Sequence, residues 1–150
     1  MQQVKIRVSG PEELKRRLKL MGAAYLGSWV EKDTYFLQPA GSFLKIKEAQ
    51  GHSELVRLAR RRDGSFGKES ELLKSPEKRR KELEAALGSV NTVEKRVRAY
   101  SYGGFVLRLQ SVGKLGDFLV IEGDGSPGGL MRKLGIEKPE LVSLAFSEML

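Results

Sequence analysis

The chain of 150 residues contains no cysteine and a single histidine. Disulfides, thiolate metal sites and cysteine nucleophiles are thereby excluded. His52 stands beside Gly51 in a predicted turn, so it reads as an exposed loop residue rather than a catalytic base or zinc ligand. Aromatic residues make up 7%, and no strand carries the aromatic run that stacks bases. No apolar stretch is long enough to span a bilayer, and the amino terminus lacks an apolar signal segment. A cytoplasmic protein without a membrane partner is the expectation. The length suits one domain over residues 1–150, with chain enough to bury a sizeable core.

Acidic residues are also under-supplied. Lys and Arg number 27 against 19 Asp and Glu, a net charge of +8. That balance suits a polyanionic partner: a nucleotide, a polyphosphate, a nucleic acid or an acidic membrane surface. Composition alone does not choose among them, but placement narrows the field. Lys5-x-Arg7, Lys45-x-Lys47, Arg57, Arg96-x-Arg98 and Arg108 recur at strand spacing among apolar residues of opposite parity. Residues two apart on a strand share a face. Each of these strands is therefore predicted to aim cations one way and Val, Ile or Leu the other. Two such heads about 8 Å apart repel by roughly 2 kcal/mol at an effective dielectric of about 20. A phosphate chain would relieve that repulsion and accept charge-assisted hydrogen bonds.

The contiguous runs Arg60-Arg61-Arg62 and Lys78-Arg79-Arg80-Lys81 cannot all face one pocket. They read as solvated exterior, with a nucleic-acid footprint as the alternative.

The element pattern is α+β. Residues 3–8 alternate as a strand, and Ser9-Gly10-Pro11-Glu12 has the form of a capping box before a helix over 10–21. Strands are predicted near 24–37, 43–48, 54–61 and 66–73. Ser75-Pro76-Glu77 opens a second helix that ends at Gly88. Strands 92–102 and 104–112 form a hairpin around Gly103-Gly104, and 117–122 is the last. A Gly123–Gly129 connector leads to short helices at 129–134 and 139–149. Periodicity leaves open whether the charged face is a closed lumen or an open surface.

The ordered set Lys5-x-Arg7, Asp33-Thr34-Tyr35-Phe36, Leu44-Lys45-Ile46-Lys47-Glu48, Lys95-Arg96 and Leu109-x-x-Val112-x-x-Leu115-Gly116-x-Phe118-x-x-Ile121-Glu122 resembles the CYTH family. That family includes class IV adenylate cyclases and thiamine triphosphatases and is also called the triphosphate tunnel metalloenzymes. Leu134-Gly135-Ile136 and Ser143-Leu144-Ala145-Phe146 are similar to its usual ending. The resemblance implies a closed antiparallel barrel with a charged tunnel and amphipathic helices packed outside. It also implies triphosphate binding by Lys5, Arg7, Lys45, Lys47, Arg57, Arg96, Arg98 and Arg108. Inward carboxylates would hold Mg²⁺ or Mn²⁺.

The acidic half departs from the family pattern. Its Glu-x-Glu-x-Lys signature here reads Met1-Gln2-Gln3-Val4-Lys5, its Leu-Asp block Leu109-Gln110, and its Glu-Ile-Glu block Val120-Ile121-Glu122. Only Glu122 persists as a metal contact, so Mg²⁺ or Mn²⁺ binding is expected to be weakened. Glu31, Asp33, Glu48, Glu69 and Glu71 are possible substitutes that read better as exposed or charge-balancing residues. Three functions follow: a triphosphate-binding protein with metal-dependent turnover weakened or lost, an active metal-dependent triphosphatase (an adenylate cyclase less so), and an RNA-binding module on an open basic face.

Overall fold

The computed structural model describes residues 1–150. In chain order the elements are β1 (Gln2–Val8), α1 (Pro11–Leu20), β2 (Ala24–Phe36), β3 (Ser42–Ala49), β4 (His52–Arg60), β5 (Phe66–Leu72), α2 (Pro76–Leu87), β6 (Ser89–Tyr102), β7 (Phe105–Val112), β8 (Gly116–Gly123), α3 (Gly128–Lys133) and α4 (Phe146–Met149). The eight strands close into one antiparallel barrel in the order β1-β5-β4-β3-β2-β6-β7-β8. Closure is what periodicity alone could not decide. Tight turns at Gln50-Gly51 and Gly103-Gly104, all four residues at positive φ, join β3 to β4 and β6 to β7. Such turns match the twist of the strands they connect.

The outer wall is the apolar one. Val4 and Ile6 of β1, Leu107 and Leu109 of β7, and Leu119 and Ile121 of β8 pack against Leu14 and Leu18 of α1 and Leu130, Met131 and Leu134 around α3. On the far side α2 covers Phe36, Leu44, Ile46 and Leu55 through Leu83. Burying each such side chain stabilises the fold by about 1.5–3 kcal/mol. The amphipathic helices thus hold the barrel from outside. None is long and apolar enough to cross a membrane.

The barrel has a seam. β1 pairs with β5 only at Gln2↔Gly67 and Gln3↔Phe66. Beyond that point the carboxyl-terminal segment takes the free edge of β1: Arg7 N–H donates to Glu140 O (3.0 Å) and Val142 N–H to Lys5 O (2.8 Å). Two expectations are corrected here. The helix predicted over 139–149 is reduced to Phe146–Met149, because the edge of β1 claims residues 140–142 as extended chain. The caps predicted at Ser9 and Ser75 make no side-chain bond; Gly10 and Ser75 are the N-cap positions, with Pro at the first helical turn in both cases.

Candidate functional site

Because paired residues of neighbouring strands share a face, the registers define the lumen. Gln3 and Lys5 of β1 lie opposite Glu122 and Val120 of β8, and Tyr35 of β2 lies opposite Lys45 of β3. Glu31 of β2 is opposite Lys95 of β6, and Asp33 is opposite Lys47 of β3. The interior therefore gathers Lys5, Lys45, Lys47, Lys68, Lys95 and Arg108 with Glu31, Asp33 and Glu122. Glu54 of β4, half-buried opposite Lys47, shares that parity, so six basic side chains meet four acidic ones.

These groups form three assemblies. Asp33, with 0% of its side chain exposed, meets Lys45 at 2.8 Å and Lys95 at 2.9 Å through one oxygen. Glu31 lies 3.5 Å from Lys95 and 4.0 Å from Lys47, and it accepts a 2.8 Å hydrogen bond from Trp29 Nε1. Nearer β8, Glu122 accepts from Lys68 at 2.9 and 3.0 Å, from Gln3 Nε2 at 3.3 Å, and from Arg108. Lys5 has no carboxylate. Its ammonium donates to Leu144 O at 2.8 Å and sits 3.8 Å from the centre of the Phe146 ring.

The electrostatics follow from burial and repulsion together. Burial, then Lys45 and Lys95, pushes Lys5 down to about 6. Burial, then Lys45 and Lys68, pushes Lys47 down to about 7. Burial also lowers Lys68, against the pull of Glu122. For Glu122, burial acts upward, but Lys68 and Arg108 outweigh it and hold the carboxyl at about 2. Asp33 is likewise raised by burial and held below the ordinary carboxylate range by Lys45, Lys95 and Lys47. Tyr35 is pushed up by burial and by Asp33.

One end of the lumen is apolar and stoppered. Phe146 packs edge-on against Phe118 at 5.0 Å, among Tyr35, Val93, Val112 and Ala145. The stopper is held by the Arg60–Glu148 ion pair and by Asn91 Nδ2 donating to Ser147 O at 3.0 Å. The free space among the inner charges is only about 20 Å³, room for about one water. A larger groove of about 480 Å³ lies outside, between α1 and strands β2, β6 and β7. It holds none of the inner lysines; its cations are Lys15, Arg96 and Arg98.

Of the predicted phosphate-binding residues, Lys5, Lys45, Lys47 and Arg108 do converge. Arg7 shares the inner parity but lies past the stopper, donating to Leu115 O at 3.0 Å and pairing with Glu140 at 3.5 Å. Arg57, Arg96 and Arg98 point outward, which corrects the parity argument. Arg57 pairs with Glu71 on the surface, Arg96 and Arg98 line the outer groove, and Arg98 donates to Tyr100 Oη. The lumen is itself partly apolar: Val56 and Leu58 of β4, like Val97 of β6, face inward. An apolar neighbour therefore did not mark the outer wall. Shifting β6 by one residue replaces Arg96 with Lys95. Lys68 was missed because Phe66 and Lys68 frame no apolar alternation in β5. Arg57→Ala and Arg96→Ala are expected to leave tripolyphosphate affinity within about twofold of the parent. Lys45→Ala is expected to lose about tenfold or more, the 1.5–3 kcal/mol range of a charged hydrogen bond; titration calorimetry reads both.

The donor set does not fit a divalent cation. No group of three or more His, Cys, Asp or Glu is placed to hold a metal. Both Glu122 oxygens are occupied by cationic donors. Asp33 Oδ1 and Glu31 Oε2 lack a hydrogen-bond donor, but Lys45, Lys47 and Lys95 crowd those two carboxylates and leave a metal ion no approach free of an amine. The other suggested substitutes fall apart: Glu69 and Glu71 are exposed, and Glu48 is half-buried outside the lumen.

The closed eight-stranded antiparallel barrel with a basic lumen and helices outside is the architecture that the resemblance to the CYTH family implied. No protein-family model and no curated protein matches the chain. Among solved structures, a Pyrococcus horikoshii protein is similar over 100% of this chain and 99% of its own, with TM-score 0.90 and 24% identity. An adenylate cyclase candidate from Vibrio parahaemolyticus matches over 98% and 95% of the two chains, with TM-score 0.79 and 13% identity. An adenylyl cyclase candidate from Hippeastrum with a dominant triphosphatase activity matches over 96% and 91%, with TM-score 0.65 and 14% identity.

Proposed function

We propose that the protein binds the triphosphate chain of a nucleotide or an inorganic oligophosphate in the barrel lumen, with metal-dependent turnover weak or lost. The observation that carries this reading is the convergence of six basic side chains on one hollow that buries three carboxylates, Glu31, Asp33 and Glu122. Lys5 has only a neutral carbonyl as acceptor. Lys45 and Lys95 share one oxygen of Asp33, and Lys68 and Arg108 share Glu122. An oligophosphate offers each of them an ionised acceptor of its own. The hollow has about 20 Å³ free, so this reading requires the inner side chains and the Phe146 stopper to move when the ligand enters.

Lys5, Lys45 and Lys47 are buried, so they do not present the open basic face that RNA binding requires. The triphosphatase activity of the Hippeastrum neighbour favours the turnover reading. Phosphate release from a panel of triphosphates, assayed beside binding, separates the two.

The direct test is thermal unfolding with tripolyphosphate. At a hundred times Kd, ligand bound only to the native state adds about 2.7 kcal/mol. For a domain of this size that is a rise of roughly 5–10 °C. An unmoved melting temperature at millimolar ligand rejects the proposal.

A further inference from the structure

Glu122 is surrounded as a bound anion would be. Lys68 reaches both of its oxygens from β5, Arg108 approaches from β7, and Gln3 donates an amide N–H from β1. Gln3 matters because a carboxylate in its place would stand 3.3 Å from Glu122, a pair that needs a cation between its members. With an amide there, the site already holds one carboxylate, two fixed cations and a neutral donor. The Asp33–Glu31 cluster has the same character, two carboxylates among Lys45, Lys47 and Lys95. With every lysine protonated each cluster carries one net positive charge, and Lys5 and Lys47, held at about 6 and about 7 in the empty lumen, take up their protons as an anion enters.

We propose that Lys68, together with Arg108 and Lys95, stands in for a divalent cation, and that the lumen takes the bare oligophosphate rather than its Mg²⁺ complex. The inference rests on the lumen being the anion site. A metal-bound phosphate chain would bring two further positive charges into a hollow whose basic side chains already outnumber its acidic ones. Its metal would also find no free carboxylate without an ammonium beside it. The bare chain instead cancels the excess. An ammonium has three donors and no geometric demand on its ligands, so Lys68 can pass from Glu122 to a phosphate oxygen without leaving the site.

Titration calorimetry of the intact protein with tripolyphosphate, first in EDTA and then with Mg²⁺ in excess over ligand, decides it. The expected result is binding in EDTA that Mg²⁺ weakens by roughly tenfold, equivalent to 1.4 kcal/mol, because the ion and the lysines compete for the same oxygens. Lys68→Gln frees Oε2 of Glu122, the oxygen that Arg108 and Gln3 do not reach, and is expected to reverse the sign, so that Mg²⁺ tightens binding; Lys68→Arg is expected to keep the parental sign. Parental binding that requires Mg²⁺, or is tightened by it, overturns this inference and leaves the lumen reading standing. Lys68→Gln that still loses affinity with Mg²⁺ overturns the role of Lys68. Absence of binding in both buffers overturns the lumen reading itself and this inference with it. Should Lys68→Gln not fold, the sign of the Mg²⁺ effect on the parent protein decides alone.

Discussion

Tripolyphosphate affinity is expected to fall by on the order of a hundredfold between pH 6 and pH 8, while the ligand-free protein becomes more stable over the same interval. Both slopes come from Lys5 and Lys47. In the native state burial and neighbouring ammoniums hold them at about 6 and about 7, against an ordinary value of 10.5. Above those values the folded lysines are neutral while the unfolded ones still carry protons. The unfolded state then binds more protons, so native stability rises with pH until about 10.5. An anion needs the charged forms. It must draw protons from solvent, at a cost of up to about tenfold in affinity per pH unit for each lysine.

Calorimetry in two buffers of different ionisation enthalpy measures that proton uptake, and urea midpoints across pH measure the stability slope. Affinity that stays flat from pH 6 to 8, with no proton uptake, would show that the lysines keep their charge when the lumen is empty. Glu122 acts at the other end of the scale. Its value of about 2 lies below the ordinary 4.5, so its contribution is complete above about 4.5 and disappears as pH falls through 2.

Replacing Asp33 by Asn is expected to destabilise the ligand-free protein by about 3–5 kcal/mol, the usual consequence of removing one partner from a buried ion pair. At the size of this chain that lowers the melting temperature by roughly 10 °C or more. Asp33 is completely buried and its one bonded oxygen serves both Lys45 and Lys95. The amide fills the same space but leaves Lys45 without a counter-charge and Lys95 with Glu31 alone, at 3.5 Å. The same change removes the internal competitor for those ammoniums. Tripolyphosphate is therefore expected to bind Asp33→Asn more tightly than the parent, by on the order of tenfold (1.4 kcal/mol), and to recover much of the lost stability. Urea unfolding with and without tripolyphosphate reads both effects. A variant as stable as the parent, or one that binds the anion less well, would mean that Asp33 is not the neutralising group.

The elements were legible in the sequence wherever a local cause sets them. The strand alternation of residues 3–8, the Gln50-Gly51 and Gly103-Gly104 turns and the two proline-initiated helices all depend on neighbours within a few positions. The inner placement of Lys5, Lys45 and Lys47 was legible for the same reason, since their strands bury Val4, Ile6, Leu44 and Ile46 under helices. Strands β4 and β6 defeated the same rule because both of their faces carry apolar side chains. There the face of Arg57 and Arg96 is set by register with β3, β5 and β7, which lies in other parts of the chain. The carboxyl-terminal helix was misread because its extended portion answers to the open edge of β1, more than 130 residues away.

By itself, the order of residues determined a cation-rich, acid-poor chain whose alternation predisposes it to strands with one charged face. Those properties follow from side-chain chemistry and a two-residue period. Only the closed barrel decided that Lys68 and Lys95 join the lumen while Arg57, Arg96 and Arg98 leave it, and that Glu31, Asp33 and Glu122 are consumed in neutralising lysines. Closure brings β1, β5 and β8 together around one hollow, and it is there that charges distant in sequence come close enough to set each other's protonation.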